Sequence, residues 1–375
     1  MGIKIFHTAD VHLGMKFARG YAPEVQSALI EARFETLACM VRTANEKGCS
    51  AFVVAGDLFD NQRVPKKDVL RAADSLRRFE GSLVLVLPGN HDYVQKAEDS
   101  LWVGFRGAMG ERTLLLEEAK PYDLREYDLD MIAYAAPCTA KHSKANAIGW
   151  IKESRRSLHA GFHVGIAHGS LEGLSPDFNE DYYPMTVDEL EAAELDLWLM
   201  GHTHVRRPDR DAGTEDRILF PSTPEPDGFD CRHPGYAWLV EIDADKEVRY
   251  QSLETGRYHF LVVDQELRGE GDVLSLKNLF EELDPETYLV KLRLSGRVPS
   301  EIYDRRGDLV ESLRSRALHV EEDLSKLYRA ITAQDIDREF TQGSFPHRLL
   351  TALAERQKNP LSLQMAYEFI RKARP

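Results

Sequence analysis

The chain is short of cysteine, of positive charge and of long apolar runs. Its four cysteines, Cys39, Cys49, Cys138 and Cys231, are scattered through 375 residues with no paired spacing. That argues against a disulfide framework and against a structural zinc knuckle. They read as buried, reduced thiols of a cytoplasmic protein. No stretch approaches the roughly 20 apolar residues of a membrane-spanning helix, so no membrane partner is expected. Residues 1–6 read as the first strand of a domain, not as a signal peptide. Positive charge is in deficit too: 48 Lys+Arg against 62 Asp+Glu leave a net charge of −14. A broad basic face that coats DNA is therefore not expected. From Thr255 onward 19 Lys+Arg nearly balance 20 Asp+Glu, so the first two-thirds carries almost all the excess acid. Divalent ions bound to some of those carboxylates would reverse the local field. A nucleic-acid substrate stays open, with high DNA affinity lent by a partner.

What is present reads as an α/β protein with two domains. Apolar runs at 3–8, 51–55 and 83–87 alternate with helices expected over 23–47 and 65–79. In the first helix Val25, Leu29, Phe34, Leu37 and Val41 fall near helical spacing, with Gly48 after it. Further strands are expected at 131–136, 163–167, 197–200, 217–220, 236–242 and 248–253. A break near 254–257 separates residues 1–254 from a small α+β unit at 258–322. That unit has strands at 258–263 and 288–294 and helices at 273–283 and 300–315. From about 333 to 375 the pattern is helical.

Five islands carry the chemistry: Asp10-Val11-His12, Gly56-Asp57-Leu58-Phe59-Asp60, Gly89-Asn90-His91-Asp92, Ala167-His168-Gly169 and Gly201-His202-Thr203-His204. Each follows an apolar strand and carries a small neighbour, at the strand ends where open α/β sheets place ligands. Asp10 and His12, two apart, are expected to project to one side of an extended chain. A lone His or Asp in such a place is ordinarily a core residue, cap or turn former. His7, His142, His159, His163, His233, His259, His319 and His347 are left to such roles. Asp, Asn and His donors without thiolate suit manganese, iron or zinc better than calcium, and manganese is the first choice.

In order, Asp-x-His, Gly-Asp, Gly-Asn-His-Asp, His-Gly and Gly-His-x-His resemble the calcineurin-like metallophosphoesterase superfamily over about residues 3–242. More narrowly, His7-Thr-Ala-Asp-Val-His-Leu-Gly14, Gly56-Asp-Leu-Phe-Asp60, Leu219-Phe-Pro-Ser-Thr-Pro-Glu225 and Pro234-Gly-Tyr-Ala-Trp-Leu-Val-Glu241 resemble the SbcD-type DNA repair nucleases, including their YhaO-like bacterial branch. Ser222 stands where that family usually has Gly. The resemblance implies a β-sandwich flanked by helices, a small α+β capping domain and C-terminal helices. It implies Asp10, His12 and His204 on a first metal, Asn90, His168 and His202 on a second, and Asp57 bridging both. His91 would contact the scissile phosphate, and Asp60, a His in archaeal and eukaryotic relatives, would orient His91 or be structural. Arg206 and Arg207 follow ligand His204 and would meet a diester backbone.

The activity so implied is a manganese-dependent nuclease, exonuclease on duplex ends and endonuclease on single strands, acting in double-strand-break repair in the cytoplasm near the nucleoid. Implied partners are DNA, an SbcC-type ABC ATPase bound by the C-terminal helices, and a second copy of the chain through helices 23–47 and 65–79. Phe345, Leu349, Leu350 and Leu353, then Leu361, Met365, Phe369 and Ile370, lie at helical spacing. They suit docking in a groove, or packing on their own domain. Two rivals are a small-molecule phosphoesterase with the same metal core and a non-catalytic scaffold that regulates an ATPase.

Overall fold

The computed structural model describes residues 2–17, 20–95, 100–175, 181–355 and 360–373. The chain divides into two compact units, Met1–His259 and Phe260–Pro375. Strands of the first unit are β1 (Ile3–Thr8), β2 (Ala51–Ala55), β3 (Leu83–Leu87), β4 (Thr113–Leu115), β5 (Pro121–Asp123), β6 (Met131–Ala136), β7 (Phe162–His168), β8 (Leu197–Gly201), β9 (Ala212–Gly213), β10 (Ile218–Leu219), β11 (Tyr236–Ile242) and β12 (Val248–Glu254). Its helices are α1 (Pro23–Glu46), α2 (Lys66–Arg77), α3 (Leu101–Arg106), α4 (Ile151–Ser157) and α5 (Val187–Ala192).

Two sheets form, in the orders β4-β3-β2-β1-β11-β12-β9 and β10-β8-β7-β6-β5. β1 pairs in parallel with β2 and antiparallel with β11. The strands are near-continuous apolar runs because both faces are covered. Ile5, Val53 and Leu85 point one way and meet Ala133, Ile166 and Leu199 of the other sheet. Phe6, Phe52, Val54, Val84 and Val86 point the other way and pack with Phe34, Leu37 and Val41 of α1 and Ala72 and Leu76 of α2. Behind the second sheet, Tyr134, Trp198 and Met200 pack with Ile151 of α4 and Leu190 of α5. The result is a helix–sheet–sheet–helix sandwich, a mixed α/β fold.

The anticipated apolar stripe of α1 is buried. Cys39, outside that stripe, is exposed, unlike the other three cysteines, which are buried; the expectation of four buried thiols is wrong for it. The strand expected at 217–220 is shorter, Ile218–Leu219.

The second unit has strands β13 (His259–Leu267), β14 (Tyr288–Val298) and β15 (His319–Arg329), ordered β13-β14-β15. Helix α6 (Glu270–Glu281) lies between the first two strands. The single helix expected at 300–315 is two, α7 (Ser300–Asp304) and α8 (Arg306–Arg314), because Arg305 leaves the helical conformation with ψ 9°. Helices α9 (Ala333–Glu339), α10 (Phe345–Glu355) and α11 (Pro360–Lys372) follow. Ile336, Phe340, Leu350 and Tyr367 form their common core. Arg329, 6% exposed, bonds the Tyr367 hydroxyl at 3.3 Å and pairs with Asp304 and Glu339, fastening β15, α7, α9 and α11 together.

Candidate metal centre

The five islands converge at the C-terminal ends of β1, β2, β3, β7 and β8. Three of them leave the extended conformation there. Asp10, His12 and Asp57 have φ of 55°, 50° and 52°, and His202 has φ 97°. Such left-handed backbone is costly for residues with a Cβ and clusters at functional sites. So Asp10 and His12 are not a two-apart pair on a straight strand, as expected. Instead the amides of Asp10 and His12 donate to the carbonyls of Gly56 and Asp57 at 3.1 and 2.9 Å. That laces the first two islands together and turns both side chains inward.

Glycine is required where the islands touch. Gly56 has φ 95°, and a Cβ there would strike the His168 ring; a Cβ at Gly89 would strike the Asp57 carboxylate. Asp92 ties the third island to the second. Its carboxylate accepts from the Phe59 amide at 2.9 Å and the Gly89 amide at 2.6 Å. Burial, with the Asp57 charge nearby, pushes the Asp92 carboxyl up to about 8.

Asp10, His12, Asp57, Asn90 and His168 are all buried. His12 Nε2 faces His204 Nε2 at 3.2 Å, with Asp10 Oδ1 3.8 Å from the latter. His168 Nε2 and His202 Nδ1 lie 3.0 and 3.1 Å from Asn90 Oδ1. Asp57 Oδ2 stands between the groups, 3.3 Å from His168 Nε2 and 3.7 Å from His12 Nε2. Donor atoms of Asp10, His12 and His204 lie within 4.8 Å of one another, and so do those of Asp10, Asp57 and His168. Two imidazole nitrogens in such a focus suit a shared cation far better than each other. The donor set therefore fits divalent metal.

The electrostatics agree. Burial holds His12 well below the ordinary imidazole range, neutral and ready to ligate. Burial raises Asp10 to about 6 against the pull of His204 and His168. Burial would also raise Asp57, but the imidazoles of His168, His12 and His91 outweigh it and hold that carboxyl low. His168, despite burial, is raised to about 9 by Asp57. His204 is raised likewise by Asp227 and Asp10 against the opposing effect of burial.

His91 stands beside the focus, its ring 4.8 Å from that of His12. Its Nδ1 lies 2.8 Å from the Asp60 carbonyl oxygen. So Asp60 meets His91 through its backbone, while its carboxylate lies 3.7 Å from His12 Nδ1. Asn90, His91, His202, His204, Arg206 and Arg207 share the lining of one open cavity of about 1330 Å³. Arg206 is held by Asp211 at 2.7 Å and lies over the Tyr236 ring at 4.2 Å. Arg207 has no ion pair among the described residues.

Asp227 and Arg33 escaped the sequence reading, and His233 was left there to an ordinary role. Asp227 Oδ2 lies 3.2 Å from His204 Nδ1. His233 Nε2 lies 2.8 Å from the His204 carbonyl oxygen. Arg33, buried in α1, donates from Nη1 to the Val11 carbonyl at 2.8 Å. Asp227 sits in Pro226-Asp-Gly228, which reads only as a turn.

The family model described as calcineurin-like phosphoesterase matches residues 3–206. The chain belongs to the calcineurin-like phosphoesterase family. Among curated relatives of this phosphoesterase, the uncharacterized metallophosphoesterase YhaO of Bacillus subtilis is 28% identical over 55% of this chain and 49% of its own. The DNA double-strand break repair protein Mre11 of Haloferax volcanii is 26% identical over 78% of this chain and 61% of its own. The Mre11 of Methanopyrus kandleri is 26% identical over 67% and 57%. The matches thus span about half to three-fifths of these relatives' length. Ser222, where the resemblance implies Gly, is buried with φ 74°, a conformation that explains why glycine suits the place. No helix among the described residues is long and apolar enough to cross a membrane.

Proposed function

We propose that this phosphoesterase is a two-metal nuclease that cuts DNA phosphodiesters. The observation that carries the reading is the Asp57 carboxylate oxygen, 3.3 Å from one imidazole cluster and 3.7 Å from the other. Asp10, His12 and His204 would hold one ion, Asn90, His168 and His202 the second, and Asp57 both. Bound divalent ions, manganese in our assignment, supply Lewis acidity toward the phosphate and bring the pKa of a water toward neutrality.

The chain's own residues do the rest. Buried carboxylates and imidazoles fix the phosphate's place and keep bulk water away. His91 Nδ1 gives its hydrogen to the Asp60 carbonyl, which leaves Nε2 for the substrate. From there His91 would donate a proton to the departing 3′-oxygen. Asp60 sets the His91 ring from its backbone, with its carboxylate toward His12. Arg207, on the cavity wall and without an ion pair among the described residues, meets the diester backbone; Arg206 stiffens that wall.

Relatives named as DNA double-strand break repair proteins support a DNA substrate and a repair role in the cytoplasm, near the nucleoid. We assign residues 258–322 as the cap that admits DNA. Phe345, Leu361, Met365 and Phe369 are exposed, and we assign this C-terminal surface to an SbcC-type ABC ATPase. Leu70 of α2 is exposed too, and α1 and α2 are our candidate surface for a homodimer.

The test is cleavage of linear duplex and single-stranded DNA with manganese, beside bis-p-nitrophenyl phosphate, with and without the ATPase. We expect exonuclease and endonuclease products and loss of ATPase co-purification when residues 333–375 are deleted. Hydrolysis of the small diester alone overturns the DNA reading, and inertness toward every diester overturns catalysis.

A further inference from the structure

His204 differs from His168 in what stands behind it. His168 Nδ1 is backed by a neutral carbonyl, Ala55 O, at 2.9 Å. His204 Nδ1 is backed by a carboxylate, Asp227 Oδ2, at 3.2 Å, and its Nε2 faces His12 Nε2. A carboxylate that accepts from Nδ1–H fixes the tautomer, aims the Nε2 lone pair and raises its basicity. Asp227 is itself well covered, with a side chain 17% exposed.

A second support for the first site lies on α1. Arg33 is 1% exposed. One of its nitrogens holds the Val11 carbonyl at 2.8 Å, between the two ligands Asp10 and His12. Its Nε and Nη2 are buried with no hydrogen-bond partner among the described residues. The carboxylates it feels are Asp227 first, then Glu225 and Asp60. A buried guanidinium with unused donors is expensive unless its charge is compensated. Glu225 has partners of its own: Thr36 Oγ1 at 2.6 Å and the amides of Arg257 and Tyr258 at 2.9 and 3.0 Å.

We propose that Asp227 and Arg33 are positioning residues of the first metal site: Asp227 orients His204 through Nδ1, and Arg33 holds the Asp10–His12 turn by the Val11 carbonyl. Both act through first-site ligands, Asp227 through His204 and Arg33 through the turn that carries Asp10 and His12. The inference rests on the two-ion reading of the centre but not on DNA as the substrate.

The test is calorimetric titration of the ion-free full chain with Mn2+, together with the melting temperature of the ion-free protein. In D227N, one of two Mn2+ equivalents should weaken by about 10- to 100-fold, the usual effect of removing such a supporting group. The other equivalent should be unchanged. R33M should weaken the same equivalent, and R33K, which keeps a donor for the Val11 carbonyl, should recover part of the loss. If D227N binds both equivalents as the wild type does, the role of Asp227 is overturned. If R33M or R33K lowers the melting temperature yet leaves both affinities intact, Arg33 is merely structural. A wild-type chain that binds no divalent ion overturns the two-ion reading itself, a different outcome from either.

Discussion

Proton competition at His168 gives the sharpest test of the centre. Its imidazole is fully buried beside Asp57 and is raised to about 9. At pH 7 such a group is charged, and an ion can take its Nε2 only after the proton leaves. Two pH units below the pKa, that removal costs about 3 kcal/mol, at 1.36 kcal/mol per unit. Affinity at the site containing His168 should therefore rise close to tenfold per pH unit from about 6.5 to 9, with about one proton released per ion bound. His204 adds the same sign with a smaller magnitude, because its side chain is 36% exposed and water screens its carboxylate partners. The ion-free protein should move the opposite way. An imidazole raised from 6.5 to about 9 on folding adds stability that is complete below pH 6.5. That stability is lost as the pH passes 9. The assay is Mn2+ titration under argon at pH 6.5, 7.5 and 8.5 in two buffers of different ionisation heat. Thermal melts of the ion-free and loaded protein accompany it. Equal affinity at the three pH values, with no heat difference between buffers, would refute the reasoning.

His91→Asn should leave both ions bound and lower turnover by about 10²–10⁴-fold, the range for a lost general acid; a kcat within threefold of wild type removes His91 from its role. Gly56→Ala forces a Cβ into the His168 ring at φ 95°. It should cost about 2–4 kcal/mol from overpacking and left-handed strain together, read as a lower denaturant midpoint; an unmoved midpoint contradicts the packing. Arg329→Met strips Asp304, Glu339 and Tyr367 of their common partner. We expect faster proteolysis within the C-terminal helices at unchanged small-diester hydrolysis, and an unaltered cleavage pattern would show that the arginine fastens nothing.

The sequence made visible what depends on residue type at a strand end. Apolar runs that close on Asp, Asn or His with a glycine beside them marked the islands. The structure brings Asp10, His12, Asp57, Asn90, His168, His202 and His204 to one focus. It hid what depends on the chain's return paths. Nothing in the spacing places β11 beside β1. Arg33 lies one residue from the buried Phe34 and reads like a solvated helix position, yet its guanidinium ends under the Asp10 turn. Asp227 belongs to a turn whose local chemistry explains it fully, so its bond to His204 leaves no local trace. The Asp10–His12 spacing misled for a related reason: alternation holds only for extended backbone, and the hydrogen bonds to Gly56 and Asp57 bend that segment. The break at Arg305 was equally silent, since no proline interrupts 300–315.

The antiparallel partner of the first strand arrives very late. Ile3–Thr8 waits for Tyr236–Ile242 to zip along its free side, some 230 residues downstream. During synthesis that flank stays naked, a row of unanswered amides and carbonyls that invites a stranger's strand. A fragment trimmed at residue 206, where the family match stops, would carry every side chain we assign to the two ions and still keep this raw margin. Anyone who expresses the catalytic half alone should extend it past Glu254, so that the two returning strands seal the sheet.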